Sequence, residues 1–374
     1  MHSTTRTTVS HPTWRAAGVT VVLASALGLG AVQIPARAQT PAIPPLQPLS
    51  LASVAAELQQ PVGGAMPQLA TRGALDLAGR RFYIAEYQVL VEVSGEFPVP
   101  VVDGLVLGQP VWGDRVRLQY RATHDVAAIQ ALVDRSWEDL RRRLADAGVA
   151  PADPAETIAR HGAILEAATQ PTTADAPLLV EADAGERVRR YLVFAPSGQK
   201  VVARSPVGIN LGNLAARLAF LASRVEGVSL ALAVNLAGTE EIAQRKSGFA
   251  RPADAPPLWR PLSPQLEVRA APGLALLATH GAQAQVTLTD AVVLDGDFAR
   301  LRPSAEGTAP GAAADPLGQL RTLGGRLLGA RPADASLAAQ LELDGPATAR
   351  LMLAGLSAVN ETIVQALRRA TAAR

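Results

Sequence analysis

The sequence predicts an α+β fold, a mixed, mostly antiparallel sheet packed by amphipathic helices at residues 125–147, 211–225 and 347–369. In these three segments apolar residues recur every three or four positions, which is the period of a helix with one buried face. Other segments have the period of a strand. Residues 115–122 alternate apolar with polar side chains, and residues 228–236 are uncharged throughout. A strand without a charged face is typical of a sheet that is covered on both sides.

The first 38 residues have the three parts of an export signal. Arg6 and Arg15 make its beginning positive, residues 16–34 are largely apolar and uncharged, and residues 36–38 (Ala-Arg-Ala) form a small-x-small cleavage site. We therefore predict cleavage after Ala38 and a periplasmic or secreted protein. The alternative is that the apolar run is retained as a membrane anchor, because it is about long enough to cross a bilayer. No later segment is long and uncharged enough to cross a membrane, so we predict no transmembrane helix once the signal is cleaved.

Composition limits the class of protein further. The chain has 35 Lys and Arg, 33 Asp and Glu, and no Cys. Residues 1–38 contain three Arg and no acid, so the mature chain would carry 32 basic and 33 acidic residues. This balance predicts no nucleic-acid partner. The absence of cysteine excludes disulfides, thiol nucleophiles and Cys-ligated metals. Arginine far exceeds lysine and alanine is abundant, which is typical of a GC-rich bacterial genome; together with the export signal this predicts a protein of the bacterial envelope.

The chain after the signal divides into a leader and a domain. Residues 39–75 are rich in Pro, Gln and Ala, which predicts a flexible leader because proline hinders both strand ladders and long helices. Residues 76–374 are predicted to form one large α+β domain, with a boundary near residues 170–186 if there are two lobes. The low-complexity stretch 303–314 predicts a disordered loop within that domain.

The first half of the domain begins with strands and continues with a helix. Residues 81–93 have apolar, β-branched and aromatic side chains with period two, which predicts a strand. Proline and glycine punctuate residues 94–111, which predicts a loop or a ragged edge hairpin. After the strand at 115–122, the helix at 125–147 begins near Asp125, a capping residue, and ends before Gly148. A second, short helix is predicted to begin at Asp153-Pro154.

The middle of the domain contains the segment that we predict to be most buried. Residues 170–186 are predicted to be a polar loop, and residues 189–195 and 199–204 a hairpin around Pro196-Ser197-Gly198. The helix at 211–225 and the strand at 228–236 then form one unit. Asn235 is the single amide within that strand, and a buried amide of this kind is usually hydrogen-bonded.

The remaining elements are separated by loops. Residues 239–264 become rich in proline and predict a long irregular connection. Strands are predicted at 265–270, 274–279, 283–294 and 337–343, a short helix at 315–330, and a long final helix at 347–369.

No motif in the sequence predicts a catalytic, cofactor or metal site. Outside the signal there is no Walker loop, no G-x-G-x-x-G after a strand, no G-x-S-x-G and no H-E-x-x-H. The mature chain has three histidines, His124, His161 and His280, in three different predicted elements. Each has an ordinary role at a cap, on a surface or in a turn, so we predict no metal site on them.

Four weaker constellations each have a structural explanation. Asp295 and Asp297 resemble part of a calcium loop whose other ligands are missing, and a β-turn explains them. A group of acids on the helix at 125–147 lies three or four residues from arginines, which predicts surface ion pairs; it comprises Asp134, Glu138 and Asp139. Ser197 and Lys200 flank a predicted turn, where a dyad would lack the required burial. Trp259 lies between prolines in the long loop and predicts either a partner contact or a side chain folded onto the domain.

The sequence therefore predicts an exported, non-enzymatic binding or assembly component of the bacterial envelope, with a protein partner and no cofactor. One alternative is a periplasmic hydrolase whose catalytic residues come from distant segments. Another is an oligomeric subunit associated with the outer membrane. Because the best-defined elements form the scaffold, the irregular segments 94–111 and 239–264 are the predicted location of function.

Overall fold

The computed structural model describes residues 67–372 with several gaps, namely 107–108, 154–168, 174, 185–186, 203–213, 242–258, 281–283 and 304–335. Fourteen strands and three helices lie within the described part. The helices are α1 (Val126–Asp146), α2 (Leu214–Ser223) and α3 (Gly345–Ala372). In these residues no helix is both long and apolar enough to cross a membrane.

Twelve of the strands form one mixed sheet, and β4 and β7 form a separate two-stranded sheet. In chain order the strands are β1 (Leu69–Arg72), β2 (Phe82–Val106), β3 (Gln109–Ala122), β4 (Thr169–Pro171), β5 (Leu178–Ala184), β6 (Arg187–Phe194), β7 (Lys200–Val202), β8 (Glu226–Glu241), β9 (Trp259–Ala270), β10 (Leu277–Thr279), β11 (Gln285–Leu288), β12 (Val292–Leu294), β13 (Ala299–Pro303) and β14 (Ser336–Leu343).

The centre of the sheet is the parallel pair of β2 and β8. Their register runs from Phe82 opposite Glu226 to Val91 opposite Val234. On its other edge β2 pairs with β6, which in turn pairs with β5. Beyond β8 the sheet continues through β10 and β11 to β1. The strand β1 therefore extends the sheet from within the segment that the sequence assigns to a leader.

The two central strands part at Glu92 and Asn235, and we call this point the fork. Beyond it β2 pairs with β3, and β8 pairs with β9, both antiparallel. Two strand pairs then continue without further partners in the described residues. The first arm is residues 99–116, and the second arm is residues 237–241 paired with 259–264. Because β2 and β8 are parallel, both arms leave the same end of the central sheet.

One face of the central strands packs against α1 and α3. The side chains of Val89 and Val91 on β2 and of Leu230, Leu232 and Val234 on β8 belong to the apolar core that also contains both helices. The helices are capped as the sequence predicts for α1: the amide of Ala128 donates to Asp125 Oδ1 over 3.1 Å, and Gly148 follows with φ of +70°.

The opposite face is covered by α2 at one end of the central pair. Gly227 permits this contact, because a β-carbon there would lie 2.6 Å from the β-carbon of Ala219. A little further along, the amide of Val202 on β7 donates to Glu86 Oε1 over 2.9 Å, so the small β4–β7 sheet contacts the same face. Toward the fork this face becomes polar.

The predicted fold class, an α+β fold with a sheet packed by amphipathic helices, is wrong. The described chain is dominated by a mixed twelve-stranded sheet, and it has three helices. The helices at 125–147, 211–225 and 347–369 exist as α1, α2 and α3, but several strands were interpreted as loops. The physical reason is proline: the arms contain Pro100, Pro110 and Pro261, and proline is tolerated in a strand that has a free edge.

Other elements differ in their partners or limits. The predicted hairpin of 189–195 with 199–204 is wrong, because β6 pairs with β2 and β5 while β7 pairs with β4. The predicted loop at 170–186 contains β5, and the predicted strand at 283–294 is divided into β11 and β12. For residues 94–111 the hairpin alternative is confirmed. The short helices predicted from 153 and at 315–330 lie outside the described residues, as does nearly all of the loop at 303–314.

Candidate functional site

The two faces of β8 differ in the size and polarity of their side chains. Toward α1 and α3 the strand presents leucines and valines, whereas its other face presents Ser229, Ala231, Ala233 and Asn235. The small residues leave space above the sheet, and the polar residues need hydrogen-bond partners there. The second face therefore contains the buried charged side chains of Glu86, Glu92 and Arg189, and it ends at the fork.

Glu92 lies at the fork and is completely buried. Its Oε2 accepts hydrogen bonds from the amides of Leu236 and Ala237, over 2.7 and 3.4 Å, just where β8 has left β2. The same oxygen accepts from Arg189 Nη1 over 3.0 Å, and the hydroxyl of Tyr120 donates to Oε1. A register shift in β2 after Glu92 aims the carboxylate into the gap between the strands.

Arg189 joins the two sides of the fork. Besides Glu92 it bonds the carbonyl of Ala237 through Nη2, over 2.8 Å, and its guanidinium lies 5.6 Å from the centre of the Phe97 ring. Burial alone would lower the pKa of Arg189, but the surrounding groups, with Glu92 first among them, together more than offset this, so the net pKa is raised. The group is therefore a permanent cation. Its Nε is buried and has no hydrogen-bond partner.

Two tyrosines complete the fork cluster, which consists of Glu92, Tyr120, Arg189, Tyr191 and Asn235. The ring of Tyr120 packs against Gly95. A β-carbon at position 95 would lie 2.4 Å from that ring. The hydroxyl of Tyr191 donates to Asn235 Oδ1 over 3.0 Å. Burial raises the pKa of Tyr191 to about 12, and burial together with the charge of Glu92 raises the pKa of Tyr120 well above its ordinary value. Both hydroxyls therefore remain protonated donors.

Three charged side chains surround the fork cluster, and we call them the rim: Arg187, Glu267 and Arg269. Arg187 is half-buried, two residues before Arg189 on β6, and Arg269 is exposed on β9. Glu267 contacts the cluster through Asn235 Nδ2, over 3.4 Å. The pKa of Arg187 is lowered, first by burial and then by repulsion from Arg189 and Arg269. The cluster and rim together hold three arginines and two glutamates.

The arrangement favours binding over acid–base chemistry. The carboxylate oxygens of Glu92 accept hydrogen bonds from four donors. Because the pKa values of the two tyrosines are raised, their hydroxyls stay protonated and act as donors. A general base needs a free lone pair directed at a substrate. Around the cluster, Arg187, Glu267 and Arg269 are at least partly exposed, and guanidinium groups recognise carboxylates and phosphates through paired N–H donors.

A second polar cluster lies between α1 and α3, on the other side of the sheet. Asp139 is buried and accepts from Arg142 Nη2 over 2.7 Å, from Arg143 Nε over 2.9 Å and from Ser357 over 3.1 Å. Next to it, Asn360 Nδ2 donates to the carbonyl of Ser136 over 2.8 Å. We call these residues, together with Glu361, which Arg143 also contacts, the helix cluster. It joins the two helices to each other.

Two of the histidines and the serine singled out in the sequence each have a separate partner in the described residues. His124 bonds the carbonyl of Glu92 through Nε2, over 2.8 Å, while the ring of His280 packs 5.1 Å from that of Phe220. His161 lies outside the described residues. The hydroxyl of Ser197 donates to Asp134 over 2.6 Å, at an exposed position. In the described residues no group of three metal-binding side chains occurs.

The remaining candidates have surface or scaffold roles. Asp297 lies 3.8 Å from Arg300 and is exposed, and Glu138 forms an ion pair with Arg135 over 3.0 Å. Of the acids on α1, Asp139 is buried, so the prediction of a surface ion pair is wrong for this residue. Asn235 is a buried amide with hydrogen-bond partners, as predicted. Trp259 begins β9, in the second arm.

Glu92 and Arg189 are not among the residues that the sequence motifs predict, although the sequence contains a signal for Glu92. Glu86, Gln88 and Glu92 occupy alternate positions in an otherwise apolar strand, which indicates one polar face inside the sheet. Arg189 lies 97 residues away, and no local pattern connects the two. No protein-family profile, curated protein or solved structure matches this chain.

Proposed function

We propose that the protein is an exported, non-enzymatic component of the bacterial envelope that binds a protein partner through its two arms. The N-terminal 38 residues support export, because they combine a positive beginning, an apolar run and a cleavage site. The arms support binding, since strand pairs that extend past a sheet offer backbone edges and side chains to a partner.

One observation carries the proposal: two strand pairs leave the same end of the sheet, and one buried network fixes the base of both. Glu92 and Arg189 belong to strands that lead into or flank the first arm, and they bond Ala237, where the second arm begins. A network that connects the two bases holds the arms at a fixed separation. Fixed binding elements lose less conformational entropy when a partner binds.

Cell fractionation tests the export half of the proposal. We expect a C-terminally tagged chain to appear in the periplasm with the mass of a protein that begins after Ala38. A variant with Ala36→Arg and Ala38→Arg should retain the full-length mass, because a signal peptidase requires small residues at these positions. Full-length protein in the cytoplasm of cells expressing the wild-type chain would contradict export.

Crosslinking in intact cells tests the binding half. The test variant replaces residues 101–114 by Asn-Gly, which closes the first arm at the register pair Pro100 and Arg115. A control variant, Leu179→Ser, changes an exposed apolar residue of β5 outside both arms. We expect a crosslinked partner with the wild-type chain and the control, and its loss in the shortened variant. Equal crosslinking by all three chains would refute binding through the first arm.

A further inference from the structure

We propose that the tip of the first arm inserts into the surface of a lipid bilayer. The inference rests on the export half of the proposed function, because an exported protein of the envelope works beside membranes. It goes beyond the proposed protein partner, since it assigns the first arm a second contact, which is lipid.

The sequence of the first arm gives it no polar face. Residues 98–113 carry a single charge, that of Asp103. Neighbouring positions in a strand belong to opposite faces, and residues 101–102 (Val-Val) and 105–106 (Leu-Val) are apolar at both positions. An antiparallel pair beside water normally has one polar face. The arm therefore has the composition of a strand pair that leaves water on both faces.

The tip of the arm is apolar as well. The last register pair of β2 with β3 is Val106 with Gln109, and residues 105–108 read Leu-Val-Leu-Gly. A hairpin connection in water is usually built from polar turn residues such as Asn or Asp beside Gly. Trp112 follows on β3, opposite Val102, and tryptophan is enriched where membrane meets water. The tip is therefore the part of the arm best suited to lipid.

Proline lies along the outer edges of the arm. The pairing of β2 with β6 ends at Glu96, and Pro98 and Pro100 follow. The pairing of β3 with β14 begins at Arg117, and Pro110 lies in the part of β3 before it. Proline has no N–H with which to bond an added strand, and it is a common residue at protected edges. These positions disfavour a partner that adds a strand, and they leave the apolar faces and tip as the contact.

The position of Asp103 sets the depth of insertion. Asp103 lies three residues before Val106, a distance of about 10 Å along a strand. Interfacial segments bury their apolar residues to a depth of roughly 5–10 Å. A lone strand pair goes no deeper, because the backbone groups at its edges would lack partners in hydrocarbon. The tip therefore enters the interface while Asp103 stays at the level of the head groups.

Flotation of the purified mature protein with vesicles tests the proposal. One set of vesicles is phosphatidylcholine alone, and the other also contains anionic phosphatidylglycerol. We expect binding to both, little changed by salt, because residues 98–114 contain no Lys or Arg. Substitution Leu105→Asp should weaken binding at least about tenfold, since it replaces an apolar side chain at the tip by a charge.

The matched control is Leu179→Asp, which makes the same change at an exposed leucine of β5, outside both arms. This variant should float as the wild type does. Absence of flotation by the wild type, or an equal loss in the two variants, would overturn the proposal. Binding to anionic vesicles alone, abolished by salt, would also overturn it, because it would indicate contact through a basic surface.

Quenching of tryptophan fluorescence by lipids with brominated acyl chains gives a second measurement, which remains informative if Leu105→Asp fails to fold. We expect quenching in the wild type, and its loss in a Trp112→Phe variant that still floats and keeps its circular dichroism spectrum. Unchanged quenching in that variant would contradict insertion of the first arm. The vesicles contain no protein, so a chain that crosslinks a protein in cells but does not float overturns this inference alone.

Discussion

The fork cluster and the helix cluster both bury a carboxylate beside arginines, but they differ in access to water. In the fork pair the side chains of Arg189 and Glu92 are 5 % and 0 % exposed. In the helix cluster Asp139 is 1 % exposed, whereas Arg142 and Arg143 are 52 % and 26 % exposed. Water can therefore replace a lost partner of the helix arginines, but it cannot reach Arg189.

The clusters also differ in what they connect. Glu92 lies on the strand that enters the first arm, and it bonds Arg189 on β6, 97 positions away, and Leu236 on the strand that enters the second arm, 144 positions away. Asp139 connects two helices that already share an apolar interface. The comparison shows that a buried charge has a large structural effect where its partners are all buried and distant in sequence. The four predictions below test this difference, from the largest effect to the smallest.

Substitution Glu92→Gln should destabilise the protein most, by about 3–5 kcal/mol, because it leaves the charge of Arg189 buried without a counter-ion. Urea denaturation followed by circular dichroism measures the change. The matched control is Glu181→Gln, whose carboxylate is 52 % exposed beside Arg190, and its effect should stay below about 1 kcal/mol. If the two substitutions lowered the free energy of unfolding equally, burial of the ion pair would not explain its effect on stability.

Two tyrosine variants within the fork cluster compare a hydrogen bond to a charged acceptor with a hydrogen bond to a neutral one. Tyr120→Phe deletes a hydrogen bond to the Glu92 carboxylate and should reduce the free energy of unfolding by about 2–3 kcal/mol. Tyr191→Phe deletes a hydrogen bond to the neutral amide of Asn235 and should cost about 1 kcal/mol. The same denaturation measurement applies, and the reverse order would argue against a charged acceptor at Glu92.

In the helix cluster, Asp139→Asn should cost only about 1–2 kcal/mol. The side chains of Arg142 and Arg143 can turn to water, and Arg143 retains Glu361 as a partner. Thermal unfolding of the variant and of Glu92→Gln under one set of conditions gives the comparison. A larger loss for Asp139→Asn than for Glu92→Gln would reverse the ranking of the two clusters.

The smallest expected effect concerns pH. Burial lowers the pKa of His124 below its ordinary value of 6.5, and Nε2 donates to the carbonyl of Glu92, so the folded protein keeps this ring neutral. The unfolded chain takes up the proton first as pH falls, and stability is therefore present above pH 6.5 and decreases below it.

A His124→Gln variant tests this assignment. It should lose about 1 kcal/mol at neutral pH, where one hydrogen bond is removed, and its deficit should shrink as the pH falls to about 5.5. Urea midpoints of both proteins at the two pH values measure the change. A deficit that grows on acidification would mean that the folded state stabilises the charged ring.

The sequence contains enough information for the helices but not for the fork. The apolar residues of α1 and α3 recur with a period that is visible within each segment. The first and last residues of both helices are therefore predicted to within a few residues. For the first arm the sequence leaves a loop and a hairpin open, and for the second arm it predicts an irregular connection, because prolines such as Pro100 and Pro261 usually exclude a strand and their tolerance depends on a free edge that only the assembled sheet reveals. The pairing of Glu92 with Arg189 depends on the sheet order, which no local pattern determines.

Native-state hydrogen exchange at Leu236 and Ala237 tests the central claim most directly. Both amides donate to Glu92 at the fork. If the fork cluster locks the two central strands, these amides should exchange only on global unfolding, with the same opening free energy as the buried amide of Val359 in α3. Rapid, denaturant-independent exchange at Leu236 and Ala237 while Val359 stays protected would show that the fork opens locally, and would contradict the claim.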